Sequence, residues 1–136
     1  MRERAAALMR ELQDSLVAAL EAAERGRRFG RAEWRREGGG GGITRVLEGG
    51  ALFEKAGVNF SEVSGHLPAD YSGEVPGSGR AFFATGVSLV IHPESPHVPA
   101  VHANFRYLEQ GERSWFGGGA DLTPAYFHAE DKEAFH

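Results

Sequence analysis

Two segments of alternating apolar and polar residues, GVSLVIHP (86–93) and VPAVHANFRYLE (98–109), flank the proline-rich PESPHVP, and this arrangement leaves few folds open. Successive side chains of a strand point to opposite faces, so Val87, Leu89 and Ile91 share one face while Ser88, Val90 and His92 share the other. The second segment divides the same way, with Val101, Ala103, Phe105 and Tyr107 against His102, Asn104 and Arg106. Pro93, Pro96 and Pro99 resist pairing inside a sheet and mark a loop, so an antiparallel hairpin is the economical connection. A turn centred on His97 would set His92 opposite His102, Val90 opposite Asn104 and Ser88 opposite Arg106. Ser88, His92, His102, Asn104 and Arg106 then form one polar patch.

The even spacing of His92, His97 and His102 invites a metal reading, but a hairpin puts His97 at the loop tip and removes it from the patch. Two readings of the remaining pair stay open. His92 and His102 hold a metal with Asp121, His128 or His136, or they are hydrogen-bonded polar residues of a groove, and spacing alone favours the second. Arginine to hold carboxylates and histidine to move protons suit an anionic organic substrate, which points to an enzyme without naming its reaction.

The rest of the chain extends the same architecture. Residues 3–25 are rich in Ala, Leu, Glu and Arg, with Leu8, Leu12, Leu16 and Leu20 every fourth position and Ala19 and Ala23 beside them, the pattern of an amphipathic helix. RGRRFGRAEWRRE reads as a solvated connector, with a docking surface for anions as the alternative. Gly38–Gly42 cannot hold a helix. The run does not follow a strand and open a helix, so a nucleotide loop is rejected, leaving a flexible linker or a backbone packed closely against a ligand or a strand.

ITRVLEG, ALFEKAGVNFSEVSG, RAFFATGVSLVIHP, VPAVHANFRYLE and RSWFGGGADLTP read as strands, and HLPADYSGEVPGSGR as an exposed loop. FHAEDKEAFH begins a helical pattern in which the chain stops. One helix followed by consecutive strands predicts an α+β fold with a largely antiparallel sheet flanked by helices, in a single domain over 1–136 that is incomplete at its C-terminus. In SWFGGGADLTP the glycines allow a sharp turn or a close approach to a ligand that puts the Asp121 carboxylate at a strand end; equally, Asp121 caps the helix that follows, although Thr123 is the better-placed cap.

Composition excludes several chemistries. With no cysteine there is no thiolate, disulfide or iron–sulfur site, so any metal must rest on His, Asp or Glu. Residues 1–37 hold nine arginines against seven acids and the remainder six basic against twelve acidic residues, so the net charge of −4 gives no general attraction to nucleic acid. No apolar run reaches the ~20 residues that span a bilayer, and the start lacks a signal-peptide core, so no membrane partner and a cytoplasmic location are expected.

The run EGGGGGITRVLEGGALFEKAGVNFSEVSGHLP, then GVSLVIHPESPHVPAVHANFRYLE and WFGGGADLTPAYFHAEDKEAFH, resembles the oxygen-dependent coproporphyrinogen III oxidases in content and order. The resemblance implies oxidative decarboxylation of two propionates of coproporphyrinogen III to vinyl groups by O2, with no required cofactor, in a homodimer of a longer chain. It implies that Ser88, Asn104, Phe105 and Arg106 bind substrate, that His102 donates a proton, and that Asp121 accepts a pyrrole N–H. In bacterial members His92, His102 and His136 match proposed ligands of a divalent metal. Ser114 stands where the family often has a second Trp. Two other readings remain beside this one: a metal-dependent oxygenase or hydrolase using His92, His102 and Asp121, and a non-catalytic tetrapyrrole-binding module.

Overall fold

The structure, a computed structural model, describes residues 1–68 and 81–136. Most of the expected loop at 66–80 lies outside the described residues. The described chain runs α1 (Arg2–Glu24), β1 (Ala32–Arg35), β2 (Gly40–Glu48), β3 (Phe53–His66), β4 (Ala81–Pro93), β5 (Ala100–Gln110), β6 (Arg113–Thr123) and α2 (Ala129–Phe135). The six strands form one sheet in sequence order, every neighbouring pair antiparallel. This is the α+β, antiparallel architecture that the patterning predicts.

α1 lies across the face that carries Leu47, Val58, Phe60, Phe83, Val87, Leu89 and Tyr107, and these residues form the core with Ala5, Met9 and Val17. Burial of each large side chain contributes about 1.5–3 kcal/mol, so this seam is the main support of the fold. The buried stripe of α1 is Ala5, Ala6, Met9, Gln13, Val17 and Glu24. The leucine series is only its flank: Leu12, Leu16 and Leu20 pack against the core from one side, while Leu8, Ala19 and Ala23 are exposed. The helix is rolled toward Met9 and Gln13 because Gln13 Nε2 donates to the carbonyls of Ile43 and Val58, at 2.8 and 2.9 Å, tying α1 to β2 and β3.

At its C-terminus α1 ends on Arg25 in the left-handed region. The buried Glu24 carboxylate there accepts the backbone N–H groups of Ala51, Leu52 and Phe53 in the β2–β3 turn. Burial pushes the Glu24 carboxyl up, but those backbone donors, with Arg27 nearby, outweigh it and hold the group below the usual carboxylate range. Tyr107, also buried, donates to Glu109 Oε1 at 2.6 Å, and that bond raises the phenol above its ordinary value.

Two expectations need correction. The arginine-rich connector contains a strand, because Ala32–Arg35 pairs with Gly41–Thr44. The glycine run is no flexible linker: Gly40, Gly41 and Gly42 are β2 residues paired with β3, the close-packed alternative. A Cβ on Gly40, where φ is +95°, would meet the Glu62 carbonyl at 2.1 Å, and one on Gly42 would meet the Trp34 ring at 2.5 Å. These positions therefore need a residue without a side chain.

Candidate active site on the polar sheet face

Directly paired residues of antiparallel strands share a face, so the register alone assembles the site. Opposite the α1-covered face, three rows cross the sheet. One is Thr44, Asn59, Ser88, Asn104 and Gly119; the second is Trp34, Gly42, Ser61, Gly86, Arg106 and Gly117; the third includes Gly57, Val90, His102 and Asp121. His92, beyond Val90 on β4, lies on the same face and pairs with Lys55. Ser88, His92, His102, Asn104 and Arg106 thus share one face, as alternation predicts.

The expected register is corrected by two residues. Ser88 pairs with Asn104, Val90 with His102 and Gly86 with Arg106, so the turn is centred on Pro96 rather than His97. A shift of two preserves every face, whereas a shift of one would have inverted them all. His97 leaves the patch as expected, and its ring stacks on Tyr126 with centroids 5.0 Å apart.

The glycines of WFGGGAD are not at a turn. Gly117, Gly118 and Gly119 lie within β6 opposite Arg106, Phe105 and Asn104. Gly117 and Gly119 add no side chain to the polar face and leave Arg106 and Asn104 uncovered from that edge. Asp121 stands in the strand two residues from its end, and His102 Nδ1 and Asp121 Oδ1 are 2.8 Å apart across the β5–β6 pair. The capping alternative fails for both Asp121 and Thr123, because α2 starts only at Ala129 with His128 before it. Thr123 Oγ1 instead donates to Asp121 Oδ1 at 3.3 Å.

With Asp121 as acceptor, Nδ1 of His102 carries the hydrogen and Nε2 is left to give or take a proton. His92 packs edge-on against His102, with ring centroids 6.1 Å apart. Phe105 is the exception among the expected substrate contacts. It pairs with Val87 and Gly118 on the apolar face, so only its backbone reaches the site.

The metal set fits less well. His92 and His102 meet, but His136 sits beyond α2 against Phe135, and Asp121 already engages His102. Among the described residues no three His, Asp or Glu side chains converge as metal ligands.

Asn59, Ser61 and Trp34 belong to this face and were missed in the sequence. The signal was available for two of them, since Asn59 and Ser61 alternate with the buried Val58 and Phe60 in GVNFSEV. For Trp34 it was hidden by the arginines around it.

The model of the family described as coproporphyrinogen III oxidase matches residues 4–136. This chain belongs to that family. An oxygen-dependent coproporphyrinogen-III oxidase of Prochlorococcus marinus (strain NATL2A) is 50% identical over 99% of this chain and 39% of its own length. The protein of that name from Synechococcus sp. (strain CC9605) is also 50% identical over 99% of this chain, covering 38% of the relative. For Prochlorococcus marinus (strain AS9601) the identity is 47%, over 99% of this chain and 40% of the relative. Within the coproporphyrinogen III oxidase family, then, the chain spans about two fifths of the length of these curated relatives. Among the described residues no helix is long and apolar enough to cross a membrane.

Proposed function

We propose that this chain supplies the substrate-facing sheet of an oxygen-dependent coproporphyrinogen III oxidase, which converts two propionates of coproporphyrinogen III to vinyl groups and yields protoporphyrinogen IX. The observation that carries this reading is the His102–Asp121 pair standing on one open face with Arg106, Ser88 and Asn104. Family membership supports this reaction, and the shared face of these residues supports the roles proposed for them.

Arg106 is exposed on that face, and its planar guanidinium suits a propionate carboxylate in a way that lysine does not. Ser88 and Asn104, directly opposite each other, offer a hydroxyl and a carboxamide to the macrocycle. His102, oriented through Nδ1 by Asp121, presents Nε2 to the reacting centre as the proton-transfer group. Among the described residues both bonds that Asp121 accepts go to Oδ1, so Oδ2 can take a pyrrole N–H without breaking the pair.

For each propionate the β-carbon loses a hydrogen, the carboxyl group leaves as CO2, and two electrons with two protons pass to O2, giving hydrogen peroxide and a vinyl group. The electron-rich porphyrinogen supplies the electrons, so the residues named here need only bind, orient and move protons. A homodimeric working form is part of the proposal and rests on the family resemblance.

The test is to give coproporphyrinogen III to protein expressed from the complete gene, in air and under nitrogen, and to follow the product by mass. Loss of two CO2 and four hydrogens in air alone is the expected result. Binding without turnover in air would reduce the protein to a tetrapyrrole carrier.

A further inference from the structure

Of the groups on the polar face that the proposed chemistry leaves unused, Asn59 stands apart by its buried, unpartnered oxygen. Asn59 lies at the centre of the Thr44–Asn59–Ser88–Asn104 row, directly opposite Ser88 on β4. Its side-chain oxygen is buried and has no hydrogen-bond donor, the sole such side-chain atom among the described residues. A buried acceptor without a donor carries the full cost of a lost hydrogen bond, so it calls for a partner.

The surroundings say where that partner comes from. Asn59 lines a cavity of about 220 Å³ with Trp34, Ser61, Ser88, Arg106 and Leu108. Ligand pockets run to about 300–1,000 Å³, so this one takes a part of a large flat ligand rather than the whole of it. Its wall is built deliberately: the Trp34 indole rests over Gly42, where a Cβ would stand 2.5 Å from the ring. An aromatic wall, a guanidinium and two hydroxyls surround a carboxamide that needs a donor. That is a receptor for an apolar ring bearing an N–H and an acidic arm.

We infer that Asn59 is a substrate-binding residue, whose carboxamide turns about χ2 to accept a pyrrole N–H while Arg106 holds a propionate of the same substrate. This rests on the function proposed above and adds to it a contact on β3, two strands from His102. The pyrrole bound here is not the one at Asp121, because Asn59 and Asp121 are separated by β4 and β5.

The experiment compares Asn59→Leu and Asn59→Asp with wild type, in protein expressed from the complete gene, measuring KM and kcat for coproporphyrinogen III together with Tm. Loss of one neutral hydrogen bond to substrate raises KM about five- to tenfold in Asn59→Leu. In that variant kcat stays within about twofold and Tm is unchanged or higher, because no unsatisfied acceptor remains. Asn59→Asp keeps an acceptor and a KM near wild type. A fall in Tm with unchanged KM in Asn59→Leu would make Asn59 a structural residue and overturn the inference alone. Wild-type protein that forms no vinyl product overturns instead the function on which it rests.

Discussion

Asp121 acts first on His102: it accepts from Nδ1 and leaves Nε2 as the ring nitrogen for proton transfer. Removing a positioned acid–base group costs about 10²–10⁴-fold in rate. His102→Ala is therefore expected to lower kcat by at least about 10²-fold with little change in Tm, because the side chain is partly exposed and outside the core. A melting curve beside the rate measurement separates lost chemistry from lost folding. Glu24 makes a different prediction. Its folded-state carboxyl is held below the usual range, so its stabilisation is present above the unfolded-state value and fades as pH falls through the folded-state one. Wild-type Tm should drop on acidification through that window, and Glu24→Gln should flatten this part of the pH profile while lowering Tm at neutral pH. At this scale the sequence was informative where alternation was strict, as for Ser88, His102, Asn104 and Arg106. It was silent on the bond between His102 and Asp121, which depends on a β5–β6 register that spacing does not determine.

β2 shows why elements were harder to read than residues. Three successive glycines weaken a strand by propensity, yet here they are required, because Gly40 sits at positive φ and Gly42 lies under Trp34. Tertiary packing overrode local preference, and the edge strand β1 was hidden for the same reason: its partner is the glycine run. Gly40→Ala should lower stability by more than about 1 kcal/mol in a denaturant titration, since alanine cannot adopt that backbone without strain. Stability equal to wild type would mean that β2 does not pair as described. α1 carries the complementary lesson. Its leucines gave the helix correctly, but the buried stripe includes Gln13, a polar residue that hydrophobic periodicity cannot count.

For the molecule as a whole, the two faces of the sheet are finished to different degrees. α1 covers the apolar face over β3 and β4, while Leu8, Phe105 and Phe116 remain 54%, 45% and 59% exposed on its flank. They line one apolar groove with Met9 and Leu12. The 136-residue chain by itself should therefore bind a hydrophobic dye, and Phe116→Ser should reduce that signal with little loss of stability. The polar face is open as well, and it is the face proposed to handle the substrate. Vinyl product from coproporphyrinogen III in air tests this most directly, comparing wild type with Asp121→Ala in protein expressed from the complete gene. Wild type should turn over, and the variant should lose at least about 10²-fold in rate at unchanged Tm. Normal turnover by Asp121→Ala would show that the polar face does not handle the substrate as proposed.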